Sequence, residues 1–383
     1  MKIFKRVINI ILAIIMICGS IITVSGEEKT GIVKSAKSYI LMEESTGQIL
    51  LESNKDEKME LASVTKIMTL LLIMEDIESG KYSLETKVTA SSNAESMGGS
   101  QIYLKEGEQM SVNELIKAVC ISSANDACVA LGEFSAGSIE EFVNKMNERA
   151  KSLGMNNTNF VNCTGLPTEN HYSTAYDIAI MSKELLKHKK VFEYTKIWMD
   201  TLRDGKFGLA NTNKLIKYYS GATGLKTGFT DKAKFCLSAT ATRDNLSLIA
   251  VVLGCETSKE RFADASSLLD YGFANYSFYI NNDISKKYDI IVSKGKENVC
   301  YGIPEITKGI LVKKGQEKNI TVQINVKESI KAPVYKDEIV GDIIFMLDKK
   351  EILKAQIKSD RDIEELKLTD YIIMNFKKIF YKK

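Results

Sequence analysis

The order of strand-like and helix-like patterns constrains the fold of this 383-residue chain more than any other feature. Residues 38–52 predict two strands joined by a Ser-Thr-Gly-Gln turn, because apolar runs flank a short polar break. From Leu61 the apolar period becomes helical, with one face formed by Ile67, Leu70, Leu71 and Met74. Further helices are predicted near 112–119, 124–134, 138–153 and 174–187. Strands follow near 223–228, 235–242 and 246–254, then a helix near 258–270. Strands that enclose a helical block indicate an α+β domain, which we assign to residues 27–279.

The pattern changes near residue 280, where short β-rich runs begin to alternate with polar turns. These runs are Asp289–Val292, Ile310–Val312, Ile320–Val326, Ile339–Leu347 and Ile352–Ile357. They predict a small all-β domain over residues 280–358. No cluster of catalytic residue types occurs in it, so we expect a spacer or interaction role.

The N-terminus predicts an export signal. Three basic residues within the first six precede an apolar run from Val7 to Val24, and the small residues Ser25 and Gly26 offer a cleavage site. We expect residues 1–26 to be removed, the alternative being an uncleaved membrane anchor. The net charge of +3 belongs to this segment, because removing its three basic residues from 52 leaves 49 against 49 acidic residues. A neutral mature chain gives no case for nucleic-acid binding.

The C-terminus predicts attachment to a membrane surface. Within residues 366–383 the apolar side chains recur at helical spacing and the lysines stay off that stripe. The segment is too short and too charged to span a bilayer, so we expect a helix in the interface with lysines toward anionic headgroups. A terminal helix docked on its own domain is the alternative. Residues 359–383 are therefore assigned to a linker and an amphipathic anchor.

Histidine is rare in this chain, with only His171 and His188. Two copies argue against a histidine metal site and leave few ways to build a Ser-His-Asp triad, so hydrolytic chemistry would need another base. We interpret His188, which lies in a Lys-His-Lys-Lys run, as a solvated helix end. Six cysteines remain after the signal, none in a CxxC pair, and we interpret them as buried small hydrophobes. No metal and no cofactor are expected.

Three short motifs occur in order, 60 and 103 residues apart: Ser63-Val64-Thr65-Lys66, Ser123-Ala124-Asn125 and Lys226-Thr227-Gly228. In a helix, the spacing from Ser63 to Lys66 places both side chains on one face. Each motif alone has an ordinary interpretation, since SxxK arises by chance, Ser and Asn cap helices, and glycine in a strand permits close backbone approach. The ordered trio is far more specific than any one of them.

SxxK, SxN and KTG in this order resemble the motifs of the penicillin-binding protein and serine β-lactamase superfamily. The stretches LMEESTGQILLE, ASVTKIMTLLL, GLPTENHYSTAYDIAIMSKELL and GLKTGFTDKAKFCLSATA are similar to the low-molecular-weight D-alanyl-D-alanine carboxypeptidases. APVYKDEIVGDIIFMLDKKEI resembles the β domain of those enzymes, and the basic tail resembles their membrane anchor. The resemblance covers nearly the whole chain after the signal. It implies a β-lactamase/transpeptidase-like α+β domain, with an antiparallel sheet flanked by a helical block, and then a small all-β domain.

The resemblance implies a catalytic role for four side chains: Ser63 as nucleophile, Lys66 as general base, Ser123 as proton relay and Asn125 as a holder of substrate amide and lysine. A lysine has an ordinary pKa of about 10.4, so a lysine base needs that pKa lowered. Partial burial and the nearby charge of Lys226 would both lower it.

The resemblance also implies groups that bind the substrate's terminal carboxylate: Lys226, Thr227, Gly228 and Arg261. For Arg261 an ordinary exposed helix arginine is the alternative. The backbone N–H groups of Ser63 and Phe229 would form the oxyanion hole. His171 falls in a loop that resembles one bordering the family's active site, where it has either a substrate-side role or a structural hydrogen bond.

The implied activity is a serine D-alanyl-D-alanine carboxypeptidase, which removes the terminal D-alanine from peptidoglycan stem pentapeptides outside the cell membrane. β-Lactams would acylate Ser63 as mimics of that dipeptide. A β-lactamase on the same scaffold is an alternative, but Glu169 and Asn170 are adjacent rather than four residues apart as in the best-known β-lactamases. A D,D-endopeptidase with the same motifs is a second alternative. A catalytically silent wall-binding protein is a third, and the intact trio argues against it.

Overall fold

The structure, a computed structural model, describes residues 31–306, 309–370 and 372. The described residues from Ile32 onward belong to one compact unit. The predicted signal at residues 1–26 and most of the predicted amphipathic tail lie outside the described residues.

Nine strands lie between residue 31, where the described part begins, and Cys255. They are β1 (Ser38–Glu43), β2 (Ile49–Ser53), β3 (Lys87–Thr89), β4 (Gln109–Ser111), β5 (Met199–Leu202), β6 (Phe207–Ala210), β7 (Ala222–Thr230), β8 (Lys234–Arg243) and β9 (Leu246–Cys255). Five of them form an antiparallel sheet in the order β2-β1-β9-β8-β7. The predicted hairpin and the three later strands are therefore confirmed, and β7 lies at an edge of the sheet.

Nine α-helices accompany these strands in the described part of the chain. They are α1 (Lys66–Glu78), α2 (Ser92–Glu95), α3 (Val112–Ser122), α4 (Asn125–Ala136), α5 (Ile139–Ser152), α6 (Ala175–Leu185), α7 (Phe192–Thr195), α8 (Leu215–Tyr218) and α9 (Ser258–Asn275). Every helix predicted between Leu61 and residue 270 is present. Several begin where a side chain accepts a hydrogen bond from the first turn, as Ser111, Thr174 and Thr257 do.

The central sheet is buried on both faces. Alternate residues of β1 point in opposite directions, so Ile40 and Met42 pack in the core formed with α1, α3, α4 and α6, whereas Leu41 packs in a second core against α9. Strand β9 divides in the same way, with Val251 on the first side and Val252 on the second. Each fully buried aliphatic side chain contributes about 2 kcal/mol. The sheet therefore forms a rigid support for the residues on its edge strand.

The described residues between 276 and 359 form an all-β region, as predicted. Its strands are β10 (Tyr276–Ile280), β11 (Tyr288–Ser293), β12 (Val299–Pro304), β13 (Gly309–Lys313), β14 (Ile320–Val326), β15 (Ser329–Lys331), β16 (Ile339–Leu347) and β17 (Lys350–Ser359). Six of them form one sheet in the order β14-β16-β17-β12-β11-β15, and β10 pairs with β13. Among the described residues, none of the helices combines the length and apolar character needed to cross a bilayer.

Two short antiparallel strand pairs in the first part of the chain have no counterpart in the sequence predictions. Strand β3 pairs with β4, and β5 pairs with β6. Strands of three or four residues are too short for the alternation of apolar and polar residues to stand out.

Candidate active site

Ser63 and Lys66 lie at the point where an irregular segment becomes a helix. Residues Ala62–Thr65 form a 3₁₀ turn and Lys66 begins α1. Ser63 is half-buried, whereas Lys66 is fully buried. The Lys66 Nζ lies 2.9 Å from the Ser63 Oγ. The predicted pairing of the SxxK serine and lysine is therefore present.

The other two partners of Lys66 define how its amine can act. Nζ also donates to Asn125 Oδ1 at 2.6 Å and to the Thr164 carbonyl oxygen at 2.7 Å. Both oxygens can only accept hydrogen bonds. A neutral Lys66 would donate its two N–H groups to these two oxygens, and its lone pair would then face the Ser63 hydroxyl. The arrangement suits a base that takes the proton of Ser63.

The two buried lysines of the site have lowered pKa values. Burial lowers the pKa of Lys66 below its ordinary value, and the Asp126 carboxylate opposes part of that effect. For Lys226 burial is again the largest cause, the charge of Lys66 adds to it, and the pKa falls well below the ordinary value. Burial therefore brings the Lys66 amine toward its basic form, whereas the charge of Lys226, which was expected to help, is not among the causes of the shift.

The second motif turns sharply between two helices. Ser123 follows α3 in the left-handed region with φ 63°, and α4 begins at Asn125. Lys226 Nζ donates to Ser123 Oγ at 2.8 Å. Asn125 Nδ2 donates to the Gly98 carbonyl at 2.6 Å, which orients its oxygen toward Lys66. The turn thus brings Ser123 to Lys226 and Asn125 to Lys66.

The third motif lies on the edge strand β7, directly beside the first. A side chain at Gly228 would meet the Leu61 carbonyl at 2.7 Å and the Ser63 nitrogen at 3.1 Å, so only glycine permits this approach. Thr227 Oγ1 donates to Thr212 Oγ1 at 2.7 Å. The structure therefore brings the three motifs into one site.

Phe229 and Arg261 flank the end of this motif. Phe229 is 50% exposed, and its ring stacks on Phe235 with centroids 4.3 Å apart. Arg261 is buried at 6% exposure, and its Nη1 donates to the carbonyls of Gly228 at 3.0 Å and Cys236 at 3.3 Å. The interpretation of Arg261 as an exposed helix arginine is therefore wrong, because its helix packs against the sheet.

His171 makes a structural hydrogen bond. It is buried, its Nδ1 accepts from the Val161 N–H at 3.1 Å, and its Nε2 lies 2.8 Å from Thr65 Oγ1. Burial lowers the pKa of His171 to about 4, so the ring is neutral at pH 7.

The interpretation of His188 as solvated is wrong, since its side chain is only 12% exposed and Nδ1 lies 2.8 Å from the Glu78 carboxylate.

Several groups of the site were absent from the sequence interpretation. Thr164 contributes only a backbone carbonyl, and Thr212 precedes the edge strand without any motif of its own. Asp126, the residue after Asn125, accepts the N–H groups of Ile102 and Leu104 and so holds the neighbouring loop. Its position directly after SxN was the only signal available in the sequence.

The described residues contain neither a disulfide bond nor a cluster of metal-ligating side chains. The six cysteines there are buried free thiols, as predicted for small hydrophobes. No group of three His, Cys, Asp or Glu residues within residues 31–306 and 309–370 is arranged to hold a metal ion. The side chains of the site described above are those of serine, lysine, asparagine, threonine and arginine, together with backbone groups.

Comparison with known proteins gives two family matches. Residues 25–257 match the peptidase S11 family, described as D-alanyl-D-alanine carboxypeptidase. Residues 273–365 match the C-terminal domain of penicillin-binding protein 5. The two matches follow the α+β and all-β parts of the fold.

Individual relatives agree with these matches. The chain is 44% identical over 347 residues to the D-alanyl-D-alanine carboxypeptidase DacF of Bacillus subtilis, covering 89% of each protein. It is 34% identical to DacC of Escherichia coli, covering 90% of this chain and 89% of that one. Penicillin-binding protein 5 of Haemophilus influenzae has a similar structure, with a TM-score of 0.74, 30% identity, and coverage of 86% and 98%. The chain therefore belongs to the peptidase S11 family of D-alanyl-D-alanine carboxypeptidases, which are serine hydrolases of peptidoglycan metabolism.

Proposed function

We propose that this chain removes the terminal D-alanine from peptidoglycan stem pentapeptides through an acyl-enzyme on Ser63. The observation that carries the proposal is the 2.9 Å contact between Lys66 Nζ and Ser63 Oγ. It combines a nucleophile open to substrate with a buried base whose remaining partners are both acceptors.

The first step is attack of Ser63 Oγ on the carbonyl carbon of the penultimate D-alanine. The hydroxyl proton passes to Lys66 Nζ as the O–C bond forms. The negative oxygen of the tetrahedral intermediate then lies against the backbone N–H groups of Ser63 and Phe229. The closeness of Gly228 to the Ser63 nitrogen supports this assignment, because it brings the two donors of the hole together.

The second step breaks the peptide C–N bond and needs a proton on the leaving amine. We assign that delivery to Ser123, whose hydroxyl is bonded to Lys226 Nζ at 2.8 Å. Lys66 then passes the proton that it received from Ser63 to the Ser123 oxygen, and the lysine is again neutral. Asn125 holds Lys66 through Oδ1, and because its Nδ2 gives one N–H to the Gly98 carbonyl, we assign its second N–H to the substrate amide. Water then hydrolyses the acyl-enzyme and frees Ser63.

The terminal carboxylate of the substrate requires positive charge and donors. We assign it to Lys226, Thr227 and the backbone at Gly228. Arg261 is bonded to the Gly228 carbonyl, so its charge acts from behind the strand and fixes that strand's position. β-Lactams, which present a carboxylate and a reactive amide, would enter the same place and acylate Ser63.

We further propose that the chain works on the outer face of the cell membrane. The predicted signal at residues 1–26 would export it, and the amphipathic tail would hold it on the membrane surface. Residues 27–279 would carry the chemistry and residues 280–358 would act as a spacer. Strand β10 crosses that boundary by pairing with β13, which would join the two parts firmly.

The experiment compares D-alanine release from a pentapeptide ending in D-Ala-D-Ala by the purified full chain and two variants. Ser123→Ala should lower kcat by about 10²-fold or more, since it removes the proton relay. Ser122→Ala is the matched control, because its hydroxyl donates only to the Ala118 carbonyl, and it should retain wild-type kcat. No release by the wild type, equal loss in both variants, or faster cleavage of a cross-linked dimer than of the pentapeptide would contradict the proposal.

A further inference from the structure

The peptide bond between Ala62 and Ser63 follows a residue with an unusual backbone conformation. Ala62 has φ 46°, in the left-handed region that costs a residue with a side chain about 1–3 kcal/mol. The bond is trans, so its C=O and N–H point in opposite directions within one plane. Whatever fixes the Ala62 carbonyl therefore also aims the Ser63 N–H.

Two contacts fix that carbonyl. Thr65 Oγ1 donates to the Ala62 oxygen at 2.8 Å. Gly165 packs so closely on the same oxygen that a side chain there would approach it to 1.8 Å. The Ala62 carbonyl is thus enclosed by a hydroxyl on one side and a glycine backbone on the other.

His171 determines which way the Thr65 hydroxyl points. Because Val161 N–H donates to Nδ1, the proton of the neutral ring is on Nε2. Nε2–H then donates to Thr65 Oγ1, which leaves the hydroxyl proton free to donate to Ala62. The chain runs in one direction from His171 through Thr65 to the Ala62 carbonyl. All three residues are buried, so water does not compete for these bonds.

We propose that Thr65 and His171 are positioning residues that aim the Ser63 N–H at the oxyanion of the tetrahedral intermediate. Neither side chain touches the substrate; both act through the Ala62–Ser63 peptide plane. The inference rests on the proposed function, since it takes the Ser63 N–H as an oxyanion donor. It assigns a positioning role to Thr65, which lies inside the SxxK motif, and to His171, which is 106 residues away in the sequence.

The test measures acylation by a fluorescent penicillin, together with kcat and KM for D-alanine release, in full-chain variants. Removing an oxyanion donor costs about 10²–10³-fold, so a misaimed donor in Thr65→Val should cost about 10–10²-fold in kcat and acylation rate. KM should stay within about twofold, because the oxyanion exists only after attack. A peptide boronic acid, whose adduct carries a negative oxygen at this position, should lose affinity by a similar factor.

Conservative and matched variants separate positioning from packing. Thr65→Ser keeps the hydroxyl and should stay within about fivefold of wild type. His171→Gln keeps an N–H donor and should exceed His171→Leu in kcat. Thr69→Val is the matched control, because Thr69 is another buried threonine, four residues after Thr65, whose hydroxyl donates to the Cys163 carbonyl. It should lower the melting temperature and leave kcat within about threefold.

The inference is overturned if folded Thr65→Val acylates within twofold of wild type, or if Thr65→Ser is as slow as Thr65→Val. It is also overturned if His171→Gln and His171→Leu have equal kcat, which decides the matter should Thr65→Val fail to fold. Failure of the proposed function gives a different result: wild-type protein that forms no penicillin adduct, whatever the residues at positions 65 and 171.

Discussion

Lys66 Nζ lies 2.9 Å from Ser63 Oγ, and the two partners that occupy its other sides, Asn125 Oδ1 and Thr164 O, are both acceptors. The amine is therefore held with one direction left open, toward the hydroxyl it must deprotonate. A lysine in such a place is useful only when neutral, and burial favours that form.

The pH dependence of kcat/KM should follow from this. Because the pKa of Lys66 is lowered, the basic form appears as pH rises, and kcat/KM should climb with a midpoint below the ordinary lysine value of 10.5. Lys66→Arg, which stays protonated, should lose about 10²–10⁴-fold and lack that rising limb. A rise centred at or above 10.5 in the wild type, or an unchanged limb in Lys66→Arg, would exclude Lys66 as the base.

Gly228 should be intolerant of even one methyl group. An added Cβ would lie 2.7 Å from the Leu61 carbonyl and 3.1 Å from the Ser63 nitrogen, so Gly228→Ala must push the strand away from the nucleophile. We expect penicillin acylation to fall by about 10²-fold, the cost of a displacement of about 1 Å. Gly208→Ala in β6 is the control, since nothing lies within 4 Å of its added Cβ. Equal acylation by both variants would refute the close approach.

The buried His171 should make stability depend on pH. Its pKa is lowered from 6.5 to about 4, so between these values the unfolded chain binds more protons than the folded one. The free energy of unfolding should therefore fall as pH drops from 6.5 toward 4, by at most about 1.4 kcal/mol per pH unit from this residue. Urea unfolding at pH 7 and pH 5 measures it. His171→Gln should reduce the difference, and an unchanged difference would mean that the histidine is not buried neutral.

The tail should confer binding to anionic membranes. Ending the signal-free chain at Lys367 retains the hydrogen bond from Leu366 N–H to the Lys294 carbonyl while removing the predicted amphipathic stripe. Cosedimentation with anionic vesicles should be lost, and salt should weaken the binding of the longer chain. D-Alanine release should be equal in both proteins. Vesicle binding that survives the truncation would contradict the assignment of the anchor.

Local spacing explains why much of the fold and site was predictable. Ser63 and Lys66 are one helical turn apart, so their pairing follows from the sequence once a helix is expected there. The strand and helix order follows in the same way from apolar periodicity, which is a local signal. The all-β C-terminal region was predicted because seven of its eight described strands are five to ten residues long and polar turns separate them.

The remaining parts of the site depend on tertiary contacts that leave no pattern. The Thr164 carbonyl is 98 residues from Lys66, and a backbone oxygen is the same in every residue. The burial of Arg261 depends on which face of α9 meets the sheet, and a charged residue on a helix normally suggests solvent. The partner of His171 inside SxxK is likewise visible only after folding brings the two together.

The most direct test of the account is to locate the covalent adduct. The full chain and its Ser63→Ala variant are incubated with a penicillin, digested, and the modified peptide is identified by mass spectrometry. We predict a penicilloyl group on Ser63 in the wild type and no adduct in the variant. An adduct on any other residue, or labelling that persists in Ser63→Ala, would contradict the assignment of Ser63 as the nucleophile.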